Sequence, residues 1–188
     1  MQYDLIYDKT GFNKAYCLFC VSGCEEKIAA EINKRYNDIL ALALFQEKHQ
    51  SKNGVRSIVK KVMIPGYVFI FSNEDIPFNQ ILFNTKAIKF LMDTDGNNEL
   101  YGENLEYANW VLSYMGMIGC SSAVRIGSRV KLIEGPLKDY EGHIKEISKK
   151  NKNGRIEVMF MGRLLSVWLP FEWVEETKAS RSFYYIIN

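Results

Sequence analysis

The stretch Met63-Ile64-Pro65-Gly66-Tyr67-Val68-Phe69-Ile70 organises the first part of the chain. Its Pro-Gly pair is a turn signal, and the four residues after it are aromatic or β-branched, which predicts a strand that starts directly after the turn. Pro65 has no backbone N–H, so it fits the entrance of the strand rather than its middle. Tyr67 and Phe69 share one face of this strand, and Val68 and Ile70 share the other. The pattern leaves open which pair faces the core and which faces the surface.

A strand and a helix precede this turn. Residues 15–21 are continuously apolar, which is typical of a short strand covered on both faces. Ser22-Gly23-Cys24-Glu25 has the form of a capping box, so we expect Ser22 to cap a helix and Glu25 to reach back to the cap. Apolar residues then recur at helical spacing, which predicts one amphipathic helix. They are Ile28, Ala29, Ile32 and Tyr36.

The remaining patterns divide the chain into two domains. Further elements predicted for the first are strands at residues 40–45, 55–61 and 88–92, a hairpin tip at 46–54, a helix at 76–83, and a last helix whose buried face carries Leu105, Ala108, Leu112 and Met115. This order predicts an α+β domain over residues 1–117. Glycines and serines without charge follow, so residues 118–123 are expected to be a linker.

The second domain has a different pattern. Short strands separated by turn residues are predicted at 128–133, 143–148, 156–161 and 164–169, with no helical periodicity. A set of short strands of this size predicts a small β-barrel over residues 124–176, in which closure removes exposed strand edges. Residues 177–188 are left as a tail that contains the apolar stretch 183–187.

Composition excludes several classes of protein. Of the 188 residues, 47% are hydrophobic, which is enough for packed cores and argues against general disorder. The apolar runs are far shorter than the roughly 20 residues that cross a bilayer, and the N-terminus lacks a basic start, so we expect no membrane association and a cytoplasmic location. The net charge is only +2, so a nucleic-acid partner has to be sought in local segments.

Metal binding and catalysis are not expected. Cys17 and Cys20 lie three residues apart in a predicted strand, where alternation points their thiols to opposite faces, so buried apolar cysteine explains them better than zinc. The two histidines, His49 and His143, have no nucleophile nearby in the sequence, and no Gly-rich phosphate loop occurs. The sequence therefore predicts a protein that is not an enzyme and has neither metal nor cofactor.

Three motifs together resemble the NusG family of transcription elongation factors. Ala15-Tyr16-Cys17-Leu18 with Gly23-Cys24-Glu25-Glu26 is similar to the first strand and helix start of the family's N-terminal (NGN) domain, and residues 63–70 are similar to its Pro-Gly-Tyr strand. Glu134-Gly135-Pro136-Leu137-Lys138 and Glu141-Gly142 resemble a KOW motif. The resemblance implies an α/β sandwich with an antiparallel sheet, followed by a small SH3-like KOW β-barrel.

The resemblance also implies a protein partner. In the family, the N-terminal domain docks on the clamp helices of the largest catalytic subunit of RNA polymerase through an apolar, aromatic-edged cavity. The matching positions here are Tyr16, Ile64, Pro65, Tyr67 and Phe69. For Tyr67 and Phe69, an interface role and a core role both stay open.

Basic segments predict contact with RNA phosphates. Between residues 145 and 155, five cations and one acid give a local charge of +4 around a turn at Asn153-Gly154. A second basic stretch runs from residue 52 to 61, and two further cations flank the KOW loop and a later turn. The predicted RNA-binding residues are Lys138, Lys145, Lys149, Lys150, Lys152, Arg155, Arg163, Lys60 and Lys61. A solvated basic turn is the alternative interpretation.

Details of the second domain resemble one subgroup. Phe160-Met161-Gly162-Arg163 and Val167-Trp168-Leu169, with the KOW residues, are most similar to LoaP-type antiterminators. That resemblance implies recognition of a hairpin in the nascent RNA and suppression of termination in long biosynthetic operons. We expect the protein to be a monomer. A general NusG factor whose barrel recruits a termination factor or a ribosomal protein, a paralogue recruited by non-template DNA, and a KOW module acting away from polymerase remain alternatives.

Overall fold

The computed structural model describes residues 11–52 and 55–174, without the side chains of residues 48–58. The strands are β1 (Lys14–Phe19), β2 (Ile39–Ala43), β3 (Phe45–Lys52), β4 (Val55–Val62), β5 (Tyr67–Ser72), β6 (Lys89–Phe90), β7 (Met117–Ile118), β8 (Ser121–Ile126), β9 (Arg129–Glu134), β10 (Ile144–Ser148), β11 (Asn153–Phe160) and β12 (Arg163–Trp173). The helices are α1 (Glu25–Arg35), α2 (Phe78–Thr85), α3 (Glu103–Ser113), α4 (Pro136–Asp139) and a 3₁₀ helix at Glu141–His143.

The chain forms two compact units. The first contains Met1–Leu44 and Ile64–Met115, and the second contains Phe45–Met63 and Gly116–Asn188. The sequence-based division at residues 117–123 keeps residues 45–63 in the first domain, so the two divisions differ in that segment. The expected linker region contains the last residue of β7 and the start of β8.

An antiparallel sheet with strand order β2-β5-β1-β6 forms the centre of the first unit. In the register of β1 and β5, Tyr16 lies opposite Ile70 and Cys17 lies opposite Phe69. The ring of Tyr16 meets Phe78 of α2, whereas Phe69 on the other face meets Tyr107 of α3. Helices therefore cover both faces of the sheet, which confirms the predicted α+β class and the continuously apolar strand.

The start of α1 differs from the prediction. Ser22 does not cap it: the N-cap residue is Cys24, and its side chain makes no capping hydrogen bond. Glu25 is the first helical residue, and its carboxylate accepts hydrogen bonds from Gly23 N–H (2.8 Å) and Gly66 N–H (2.6 Å). The acid thus satisfies one amide beside the helix and one that is distant in sequence.

Helix α3 buries a different face from the predicted one. Its buried residues are Tyr107, Ala108, Trp110 and Val111, of which only Ala108 belongs to the predicted set. Tyr107 contacts both Phe69 and Trp110, so aromatic packing on the sheet fixes the helix rotation.

The predicted hairpin tip at 46–54 is mostly strand. β3 and β4 pair from Phe45 opposite Val62 to Lys52 opposite Val55, and β3 also pairs in parallel with β7. A polar segment can form a strand here because pairing with β4 and β7 satisfies its backbone N–H and C=O groups, and this pairing does not require an apolar face.

The second unit also contains the five-stranded barrel sheet, with strand order β10-β11-β12-β8-β9. Neighbouring strands are antiparallel except β12 and β8, which are parallel. Its apolar core includes Val124, Leu132, Leu137, Ile156, Val158, Phe160, Leu169 and Phe171. Gly135 has φ +94°, and an added Cβ would lie 2.9 Å from Ser121 Cα, so the KOW loop requires glycine at this position.

Candidate interaction surfaces

Of the five predicted polymerase contacts, Ile64, Pro65 and Tyr67 lie at the end of the first unit's sheet where β5 begins. Phe69 and Tyr16 lie further along the sheet, on opposite faces, and most of the five are buried. Pro65 is exposed. Tyr16, Ile64, Tyr67 and Phe69 are 3%, 6%, 6% and 0% exposed. In this structure Phe69 packs in the core against α3, while Tyr67 stands edge-on to Phe19.

The Pro65-Gly66 turn is held tightly to its neighbours. Gly66 C=O accepts a hydrogen bond from Cys20 N–H at 2.8 Å, and Gly66 N–H donates to the Glu25 carboxylate. Gly66 has φ +87°, and an added Cβ would lie 2.8 Å from Cε2 of Phe19. Both the backbone conformation and the space therefore require glycine, so the position of Pro65 is well defined.

Exposed apolar residues extend the surface beyond Pro65. Val21 follows the end of β1 and is 61% exposed, and Ile88, just before β6, is 53% exposed. Ile88 N–H bonds to Phe19 C=O while Cys20 N–H bonds to Gly66 C=O, so the ends of β5, β1 and β6 place all three residues along one sheet end. We call Pro65, Val21 and Ile88 the apolar band.

The sequence prediction missed Val21 and Ile88. Each was assigned to the apolar pattern of a strand, and only the strand ends show that their side chains leave the core. Next to Val21 lies a shallow groove of about 270 Å³ between α1 and the end of α2. Its lining residues are Val21, Cys24, Lys27, Ile28, Glu31, Asn84, Thr85 and Lys86.

The predicted RNA-binding cations of the barrel do not form one cluster. Lys149, Lys150 and Lys152 lie on the turn between β10 and β11, whereas Arg163 starts β12 at the far end of β11. That strand advances seven residues between the two turns, about 23 Å at the usual rise per residue. Lys138 lies nearer the first turn, because a Cβ added to Gly154 would lie only 3.0 Å from the neighbouring Leu137 side chain.

Two of the predicted RNA-binding residues, Arg155 and Lys138, already form ion pairs with carboxylates. Arg155 forms ion pairs with Glu157 and with Glu146, the latter at 3.4 Å from Nε to Oε2, and its guanidinium carbon lies 5.9 Å from the ring centre of Trp168. Lys138 pairs with Glu141. A phosphate would have to compete with these carboxylates. Lys145 is exposed at a register shift in β10.

Folding brings a second basic turn beside the first. Lys149 Nζ donates to the carbonyl of Ser128, so the β10–β11 turn lies against the β8–β9 turn. Arg125 and Arg129 flank that second turn, and both are exposed. We call this pair of turns the basic end of the barrel. Arg125 and Arg129 were missed because they lie about twenty residues away in sequence from the lysines they join.

Lys60 and Lys61 do not lie at a hairpin tip. The register places them opposite Glu47 and Gln46, at the base of the β3–β4 hairpin, and Lys60 Nζ lies 3.7 Å from the ring centre of Phe45. The long pairing of β3 with β4 moves these lysines several residues away from the turn.

Cys17 and Cys20 are buried, and Cys24 and Cys120 are partly buried. Burial raises the pKa of Cys20 and of Cys120 to about 11, with a smaller contribution from nearby carboxylates. Burial also raises the pKa of Cys17 well above its ordinary value. Within residues 11–52 and 55–174, no cluster of three or more His, Cys, Asp or Glu side chains is arranged to hold a metal ion. None of the helices in that part of the chain has the length and apolar character needed to span a membrane.

Comparison with known proteins finds similarity over most of the chain. No family model matches it. It is 27% identical over 177 residues to the transcription termination/antitermination protein NusG of Bacillus subtilis, an alignment that covers 86% of this chain and 97% of the relative. The chain is therefore similar to a NusG protein over most of its length. NusG of Thermus thermophilus is 25% identical over 186 residues, covering 85% of this chain and 96% of that protein.

These NusG alignments are not confined to one unit. The share of the chain that they leave out is smaller than either unit, so both units contribute to the similarity. A solved structure of Thermotoga maritima NusG also matches, with 22% identity, a TM-score of 0.45, and coverage of 84% of this chain and 93% of that chain.

Proposed function

We propose that this NusG-like chain is a transcription termination/antitermination factor that binds RNA polymerase through its first unit and nascent RNA through its barrel. The observation that carries the proposal is the similarity to NusG termination/antitermination proteins across both units. The proposed role requires binding and tethering, and no chemistry on a substrate.

The proposed polymerase contact centres on the apolar band. Its exposed residues offer area to a partner, whereas Ile64 and Tyr67 are buried on either side of the Pro65-Gly66 turn and Tyr16 and Phe69 are buried in the sheet. Burying apolar area contributes about 25 cal/mol per Å², and a few central residues dominate most interfaces. The proposed occupant is the clamp-helix pair of the largest catalytic subunit.

A pair of charge substitutions tests this contact. Because Val21 and Ile88 are exposed, V21K/I88K should leave the fold intact and lower affinity for core polymerase by about tenfold or more. The matched control is M159K/L164K, which makes the same change at barrel residues that are 52% and 61% exposed. Binding is measured by titration of labelled polymerase, and function by terminator read-through in single-round transcription. Equal affinity of both double variants would contradict the proposed contact.

The proposed RNA contact is the basic end of the barrel. Its cations come from two turns that meet, so they offer several positive charges to one folded RNA rather than a single row along a strand. Since both binding sites belong to one chain, polymerase binding raises the effective concentration of the barrel at the emerging transcript.

We place the chain with LoaP-type antiterminators that act on an RNA hairpin in long biosynthetic operons. The test is binding to leader RNA of its own operon against a scrambled hairpin of equal length, with terminator read-through measured on the same leader. Selective binding and read-through support this specialisation. Equal binding of both RNAs returns the chain to a general role.

A general factor whose barrel recruits a protein is the second candidate. One observation favours it: Met159 (52% exposed), Leu164 (61%) and Trp168 (38%) present apolar area on the strands β11 and β12, beside the carboxylates of Glu146 and Glu157. Competition between RNA and a termination factor or ribosomal protein, repeated with M159K/L164K, separates the two candidates.

A further inference from the structure

Glu25 is a buried carboxylate with an unusual pair of partners. It is 1% exposed, and each of its oxygens accepts one backbone hydrogen bond. Oε1 accepts from Gly66 N–H at 2.6 Å, and Oε2 accepts from Gly23 N–H at 2.8 Å. Removing a carboxylate from water is costly unless the charge is satisfied, so these two amides and the N-terminus of α1 account for its stability in this position.

The two amides belong to two different turns. Gly66 follows Pro65, and its carbonyl is held by Cys20 N–H on the other side. Gly23 lies in a turn closed by a 3.0 Å hydrogen bond from Cys24 N–H to Val21 C=O. One carboxylate therefore holds the turn that presents Pro65 and the turn that presents Val21.

Local helix capping does not explain this arrangement. An exposed Ser, Thr or Asp at the N-cap would satisfy the first amides of α1 without burying a charge, yet the cap side chain here makes no such bond. Glu25 instead bonds an amide 41 residues away in sequence. Its geometry serves the relative placement of the two turns.

We propose that Glu25 is a positioning residue for a polymerase-binding surface: it fixes the spacing of Pro65 and Val21 within the apolar band. This inference rests on the proposed function, since the band is the proposed polymerase contact. Glu25 itself is buried and does not touch the partner.

The test compares Glu25→Gln with a matched control, Glu103→Gln. Glu103 is likewise the first residue of an eleven-residue helix, but it is exposed. Glutamine keeps the shape of glutamate but offers one acceptor oxygen instead of two, so E25Q should release one of the two glycine amides. Three quantities are measured on the full chain: the amide proton shifts of Gly23 and Gly66, the affinity for core polymerase, and the affinity for a leader RNA hairpin.

The expected result is specific to one surface. In E25Q, a glycine amide shift moves and polymerase affinity falls about tenfold at a temperature at which circular dichroism shows a folded protein, while RNA affinity is unchanged. E103Q should match the wild type in all three measurements. A folded E25Q with displaced glycine amides and wild-type polymerase affinity overturns the proposal, as does an E25Q in which neither amide shift moves.

Two further outcomes are distinguishable. If the wild-type chain does not bind polymerase at all, the proposed function fails, and with it the surface that Glu25 is proposed to position. If E25Q does not fold, Glu25→Asp replaces it, because aspartate keeps the charge but withdraws the carboxylate by about one bond length, roughly 1.5 Å, and breaks the double contact. A folded E25D with wild-type polymerase affinity overturns the proposal. A wild-type chain whose NMR spectra show no scalar coupling across the hydrogen bond between Gly66 and Glu25 also overturns it.

Discussion

Replacing Phe69 by alanine tests whether this residue acts through the core. Phe69 is 0% exposed, lies opposite Cys17 on β1 and Leu42 on β2, and packs its ring 5.9 Å from that of Tyr107. Strands on both sides and a helix above limit how far the site can collapse, so the lost transfer energy and the cavity should together cost about 4 kcal/mol, within the usual 3–5 kcal/mol for such a change. At a urea dependence of about 1–2 kcal/mol per M, the unfolding midpoint should fall by roughly 2–4 M.

The assay can be confined to the first unit. Of the three tryptophans, Trp110 lies on α3 with its ring 5.5 Å from Tyr107, so its fluorescence reports this core when Trp168 and Trp173 are changed to Phe. Phe83→Ala is the matched control, because Phe83 is 85% exposed and its loss should change stability by no more than about 0.5 kcal/mol. An F69A protein within about 1 kcal/mol of wild type that had nonetheless lost polymerase binding would refute the core assignment.

Three further predictions concern the barrel and the thiols. K150Q/K152Q should reduce the magnitude of the slope of log affinity for leader RNA against log salt concentration by about 1.4–1.8. The control K27Q/K34Q, which removes the same charge elsewhere, should leave this slope unaltered. Equal slopes for the wild type and both double variants would exclude the contact. Since burial raises the pKa of Cys20 and Cys120 to about 11, both thiols should resist alkylation at neutral pH and react faster only as the pH approaches that value, which labelling followed by mass spectrometry checks. Because folding favours the protonated thiols, the free energy of unfolding should fall as pH rises from about 9 to about 11, which urea unfolding across the pH range checks. Gly135→Ala should lower barrel stability by about 1–3 kcal/mol and Gly142→Ala should not, because only the first has a positive φ and a backbone neighbour within 3 Å; calorimetry showing equal melting temperatures would be the contrary result.

The apolar elements of the fold could be predicted from sequence, whereas the polar ones could not. β1 and β5 follow from continuous apolar runs next to turn signals. The strand from Gln46 to Lys52 was interpreted as a loop because its residues are polar, and its pairing with β4 and β7 is a property of the partner strands. The rotation of α3 was missed for a related reason: several faces of this helix carry apolar residues, and contact between Tyr107 and Phe69 decides among them.

The candidate surfaces show a similar division. The lysines of the β10–β11 turn could be identified as a basic segment, but the contact of Lys149 with Ser128 that adds a second turn depends on the barrel closing. The sequence count set one acid against the cations of that segment, whereas the structure gives Arg155 two carboxylates, from Glu146 and Glu157. The local charge therefore predicted the basic segment, but it did not show which of its side chains are available to bind phosphate.

Every residue of β5 is buried. In a sheet with one solvent-exposed face, a register shift of one residue would turn the apolar side chains of a strand towards water. The cost of exposing them favours the correct register. This cost is small for β5, because a strand in the shifted register would still be covered on both faces and could persist as a misfolded pairing. The contacts at its two ends can distinguish the correct alignment, since Gly66 bonds Cys20 and Glu25 at the entrance, and Asn73 at the exit accepts a 3.0 Å hydrogen bond from Asn13 N–H, just before β1. We therefore expect changes at these ends to produce mispaired, aggregation-prone chains during folding even where they alter few contacts of the finished core.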